Sequence, residues 1–86
     1  MYSVGVGIIT CDRVPFYKKC IDSVLDLDRC VTVTVNDGKP FKNMSPRYRP
    51  EKYIHNKKNI GVGRSKNKAL RYLIDSGGEH IFLLED

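Results

Sequence analysis

The chain has 86 residues, 41% of them hydrophobic and 29% charged, with a formal net charge of +5. A chain of this size buries only about 60% of the surface its unfolded form exposes, which limits it to one domain with a small core, and no apolar run approaches the roughly 20 residues needed to cross a bilayer. Eleven Lys or Arg lie between Lys39 and Tyr72 against Glu51 alone, while the rest of the chain is acidic; such a segment is either a solvated face or an attractor of phosphates, nucleic acid or membrane headgroups.

Met1, Tyr2 and Ser3 lead straight into a strand-like run, without the basic stretch, apolar segment and cleavage site of a secretory leader, which predicts a cytoplasmic chain. The run is Val4 to Thr10, VGVGIIT, of strand length, with glycines that leave room for close approach in a central parallel strand. After the polar turn Cys11, Asp12, Arg13, Pro15 suits a first helical turn. Phe16, Cys20, Val24 and Leu27 then recur at helical spacing, giving an amphipathic helix over roughly 15–27.

Val31 to Val35, VTVTV, alternates β-branched residues and stops at the turn signal Asn36, Asp37, Gly38. Strand, helix and strand in about 32 residues form a βαβ unit, with parallel strands and a right-handed crossover. Residues 39–50 carry Pro40, Pro46 and Pro50 without periodicity and are expected as a long surface loop. A short third strand is expected over 52–56. Ala69, Leu70, Leu73 and Ile74 place a second helix over 64–75, stopped by Gly77 and Gly78. A fourth strand runs from His80 to Leu84 and meets Glu85 and Asp86. The three cysteines, Cys11, Cys20 and Cys30, match no zinc or thioredoxin-like spacing. They are expected as reduced thiols, Cys20 in the core and Cys11 reactive at a strand end.

Ligands of parallel sheets bind outside the carboxyl ends of the strands. The polar residues there are Thr10, Cys11, Asp12 and Arg13, then Asn36, Asp37 and Gly38, and finally Glu85 and Asp86. In this order IITCDR, VNDGK, NIGVGRSKNKAL and FLLED resemble the family 2 glycosyltransferases of the GT-A type. That family has a Thr-containing turn after the first strand, a DDGS-like segment after the second, an N-x-G-x-x-x-A-R-N segment before a helix, and an acidic triplet after the fourth strand. Two positions depart from the pattern: Asn36 replaces the first Asp, and Lys66 stands where an Arg would precede Asn67.

The resemblance implies an α/β, three-layer Rossmann-like half-domain, with a mostly parallel sheet of order 3-2-1-4 and two main helices. Residues 1–86 would then be a single nucleotide-sugar-binding unit, the N-terminal half of a GT-A domain, ending within the D-x-D type motif. It implies that Thr10, Asp12 and Arg13 line the nucleotide pocket, that Asp37 accepts from base or ribose, and that Asn59, Arg64 and Asn67 contact the donor. Glu85 would contact the donor too, and Asp86 would ligate Mn²⁺ or Mg²⁺. The implied partner is a nucleoside-diphosphate sugar, of the UDP-sugar class. The family's general base comes from the acceptor half, so transfer by these residues alone is not expected.

Other readings stay open beside it. Asn36 to Gly38 also suits a plain Asx-turn, Lys66 and Lys68 suit an exposed helix face, and Glu85 and Asp86 a frayed acidic end. The basic 39–72 segment fits a non-enzymatic nucleic-acid or polyanion binder, and an inactive fragment is a further alternative. The apolar strand 80–84, exposed at a sheet edge, predicts homo-oligomer formation through that edge.

Overall fold

The structure, a computed structural model, describes residues 4–25 and 30–85. Four strands, β1 (Val4–Thr10), β2 (Cys30–Asn36), β3 (Lys52–His55) and β4 (His80–Glu85), form one sheet in the order β3-β2-β1-β4. Every pairing is parallel. Helices α1 (Val14–Leu25) and α2 (Val62–Asp75) pack on opposite faces, so the fold is the three-layer α/β arrangement expected. The sequence helix expected to reach Leu27 ends its described part at Leu25, and Leu27 lies outside the described residues. No helix among the described residues is long and apolar enough to cross a membrane.

The two faces follow from the strand period of two. Val6 and Ile8 of β1 meet Tyr17, Ile21 and Val24 of α1. Ile9 and the triplet Val31, Val33, Val35 meet Ala69 and Leu73 of α2. The β1 glycines serve this second contact: a Cβ on Gly5 would lie 3.0 Å from Leu73, and one on Gly7 would lie 2.9 Å from both Ala69 and Leu83. Their absence lets α2 sit directly on the backbone of the central strand. Each fully buried aliphatic side chain in such a layer contributes about 1.5–3 kcal/mol.

Helix α2 starts two residues earlier than its apolar spacing suggests, because Gly61 caps it with φ +92°, a conformation open to glycine. It ends as Gly77 and Gly78 imply. Gly77 adopts φ +82° and donates to Ile74 O, while Gly78 donates to Leu73 O at 3.2 Å, the paired bonds of a Schellman stop.

Residues 39–50 form the expected surface loop, with none of them fully buried, and the loop is ordered by contacts with the sheet and α1. They cover the α1 side of the sheet beside Tyr17, with a 3₁₀ turn at Pro46–Tyr48. Phe41, Met44 and Tyr48 pack against the α1 cluster. Tyr17 organises this cover: its ring is fully buried and stacks on Phe41 at 4.9 Å. Its hydroxyl donates to Tyr48 O at 2.9 Å and lies 3.0 Å from the Thr34 hydroxyl. The third side of the cover is the Glu51 amide, which donates to Thr32 Oγ1.

Candidate functional site

The carboxyl ends of β1, β2 and β4 share one rim because all three strands are parallel, with Thr10 beside Asn36 and Ile9 beside Glu85. The order β3-β2-β1-β4 puts the topological switch at β1 and β4, since the chain leaves β1 for β2 on one side and returns to it from β3 on the other. Crevices for ligands open at such points.

Asp37 stitches this rim together. Its amide donates to Thr10 O at 2.8 Å. Its side chain, only 5% exposed, accepts from Ile60 N and Asn56 Nδ2 on Oδ1, both at 2.8 Å, and from Gly61 N on Oδ2 at 2.9 Å. The carboxylate thus sets the start of α2 and retains one further acceptor position on Oδ2. Burial pushes its carboxyl up, but the hydrogen bonds from Ile60, Asn56 and Gly61 and the nearby Lys68 charge outweigh it, and the net direction is down. Asn56 extends the network: it donates to Ser65 Oγ and accepts from Lys68 Nζ at 2.7 Å. Lys68, expected as part of a solvated helix face, reaches back into a buried network.

The turn after β2 is built the same way. Asn36 is fully buried; its Oδ1 accepts from Gly38 N, and its Nδ2 donates to Lys39 O and to the Tyr53 hydroxyl. This is the Asx-turn weighed above. Asp12, held at φ +56°, accepts from Lys39 N at 2.7 Å. A Cβ on Gly38 would fall 2.8 Å from the Asp12 backbone nitrogen, so glycine is what lets the two loops touch.

The structure brings some predicted site residues together and separates others. Thr10, Asp12, Asp37 and Asn59 gather, Asn59 donating to Asp37 O at 3.2 Å. Thr10 is 1% exposed, and its hydroxyl is the buried side-chain oxygen with no hydrogen-bond partner among the described residues. Arg13 lays its guanidinium over the Phe16 ring at 4.1 Å, beside the start of α1. Arg64 is exposed in the first turn of α2, whose cap offers no side-chain bond and whose first turn has no acid. Asn67 sits with Leu70, Arg71 and Ile74 on the outer face of α2, away from the buried Ser65, Ala69 and Leu73. Glu85 is ion-paired with Lys66. Asp86 lies outside the described residues. Among the described residues no three His, Cys, Asp or Glu side chains gather as potential metal ligands.

A cleft of ≈ 580 Å³ lies elsewhere, between β3 and the 39–51 segment. Tyr17, Phe41, Tyr48, Tyr53, His55 and Met44 line it. It joins the rim through His55 Nε2, 2.9 Å from Gly38 O, and through Tyr53 and Asn36. None of the residues singled out from the strand ends contributes to it. The only sign of it in the sequence is the set of tyrosines scattered through a basic, proline-rich stretch.

No disulfide links the cysteines among the described residues; Cys11 is exposed, with its Sγ donating to Asp37 O at 3.7 Å, and the other two are half-buried. Burial, then the Glu51 charge, pushes the Cys30 thiol up, so it stays protonated. No family model, characterised protein or solved structure matches the chain.

Proposed function

We propose that the carboxyl rim of the sheet binds a nucleoside diphosphate of the kind that activates sugars, as the donor-binding part of a family 2 glycosyltransferase would. The observation that carries this reading is the Thr10 hydroxyl: buried polar atoms are nearly always paired, and this one stands unpartnered at the end of a central strand, beside the switch point. A ribose or base oxygen or nitrogen would satisfy it once the Cys11–Arg13 turn opens a path to it, since Thr10 is 1% exposed.

Charge supports the same reading. The amides at the start of α2 beyond Gly61 meet no capping side chain, and such a helix end favours an anion. Arg64 in that turn adds a planar fork suited to phosphate oxygens, and Arg13 stands across the rim. Asp37 serves chiefly by holding Ile60 and Gly61 in place, with its last acceptor position left for the ligand. Mn²⁺ or Mg²⁺ would enter through Asp86 and the diphosphate oxygens. The reading assigns no catalytic base to these residues and claims donor binding, with sugar transfer left to an acceptor-binding part.

Titration with UDP, with and without Mn²⁺, tests it by calorimetry or melting. Thr10→Val keeps the shape and removes the hydroxyl, and is expected to weaken UDP by about 2- to 10-fold, the worth of one hydrogen bond; Arg64→Ala should weaken UDP more than uridine. Absence of any response to UDP, GDP or ADP sinks the reading and leaves the fold untouched. The same reading includes self-association through the free edge of β4, where Phe82 is 56% exposed. Sedimentation showing a monomer at high micromolar concentration excludes that part.

A further inference from the structure

The aromatic cleft is separate from the rim chemistry and has its own logic. Phe41 lies between Tyr17 and Tyr53, with ring centroids 4.9 and 5.4 Å away. The three rings form a ladder that begins in the core at Tyr17 and climbs outward. Tyr17 is closed off by the sheet and α1, whereas Tyr53, the outer rung, is 40% exposed on an edge strand. Its hydroxyl accepts from the buried Asn36, which fixes the ring's position and leaves little side-chain entropy to lose on binding. A fourth flat ring stacked on Tyr53 would continue the ladder.

The charge around the ladder selects what carries that ring. Residues 39–55 hold Lys39, Lys42, Arg47, Arg49 and Lys52 against Glu51 alone. Lys42 and Arg49 are exposed, and Arg49 lines the cleft itself, whereas Lys52 alternates with Tyr53 along β3 and so belongs to the other face of the sheet. Of the other cations here, Arg47 pairs with Asp22 at 3.3 Å and sits over Tyr48 with Lys18. Cations spread around one aromatic step exceed what a single phosphate needs, and they match a backbone that places a phosphate every few ångströms. A platform for bases beside a basic track is how proteins hold single strands without reading sequence.

We propose that this cleft binds single-stranded nucleic acid, with a base laid on Tyr53 and the neighbouring phosphates held by Lys42 and Arg49. A duplex is disfavoured because its base faces are already stacked on one another. Among the residues lining the cleft Glu51 is the acid, and its carboxylate opposes a bound phosphate. The assignment does not depend on the nucleotide at the rim.

Fluorescence anisotropy of the whole chain with a labelled 12-nucleotide oligo-dT tests it. Saturable binding at 50 mM NaCl is expected, with a loss of roughly 7-fold at 200 mM if about two phosphates are held. Tyr53→Ala should weaken the strand by about tenfold or more, Tyr53→Phe should retain it, and Thr10→Val should leave it unchanged. Lys42→Glu with Arg49→Glu, at exposed positions that leave the core alone, should abolish it, and Glu51→Gln should tighten it a few-fold. Three results overturn the proposal: no binding at low salt, equal loss from Lys57→Glu with Lys58→Glu outside the cleft, or UMP competing as well per nucleotide as the unlabelled strand.

Discussion

The two faces of the sheet are closed by different means. On one, α2 lies directly on the glycines of β1, anchored at its start by Asp37 and at its end by the Gly77 and Gly78 stop. On the other, α1 covers only the centre, and the 39–51 segment completes the layer with aromatic rings rather than a helix. The first closure is regular, and at Gly5 and Gly7 it is in close contact. The second is irregular, and its imperfect fit is what produces the cleft. A helix seated on glycine gives stability, while a loop seated on aromatics gives a surface that can take a ligand.

Stability measurements on each face can break that contrast. The largest effect is expected for Leu73→Ala, which opens a cavity between α2 and β1 and should cost about 2–5 kcal/mol in urea unfolding. Asp37→Ala should follow at roughly 2–4 kcal/mol, since it strands the Ile60 and Gly61 amides and Asn56. Gly7→Ala forces a methyl against Ala69 and Leu83 and should cost about 1–3 kcal/mol. Tyr17→Phe, which keeps the ring and leaves Tyr48 O without its donor, should cost about 1 kcal/mol, with faster amide exchange confined to the 3₁₀ turn. If Tyr17→Phe proves as costly as Leu73→Ala, the second face is no looser than the first.

Acidity sharpens the same comparison. The Asp37 carboxyl is lowered in the folded chain, so the unfolded chain binds its proton more readily. Its contribution is therefore fully present above the ordinary carboxylate value near 4 and is lost as pH falls below that value. Equilibrium unfolding from pH 7 to 2 should show this loss in the parent chain and a smaller one in Asp37→Asn.

Much of the fold was legible before any coordinates. VTVTV and the glycine-spaced first strand carry the period and the close approach of a parallel sheet, and the paired glycines after Asp75 carry the helix stop. The 39–50 segment was legible as a surface loop, but its order was opaque because it comes from Tyr17, more than twenty residues earlier, and no local period encodes a ring stacked across the chain. The rim was legible as a set of strand ends but less so as a site. Asp37 looked like a ligand acceptor, yet most of its capacity goes to backbone amides and to Asn56, partners about twenty residues further on. Asn67 was placed by motif alone, and the face it occupies depends on how α2 docks, which Ser65, Ala69 and Leu73 decide.

Nuclear magnetic resonance titration of the isotope-labelled chain with UDP tests the central claim most directly, because each amide reports its own surroundings. Shifts should appear at Thr10, Cys11 and Asp12 and across residues 59–64, and at the same sub-saturating UDP concentration they should be smaller in Thr10→Val. Shifts confined to Phe41, Tyr53 and His55, or none at all, would contradict a nucleotide site on the rim.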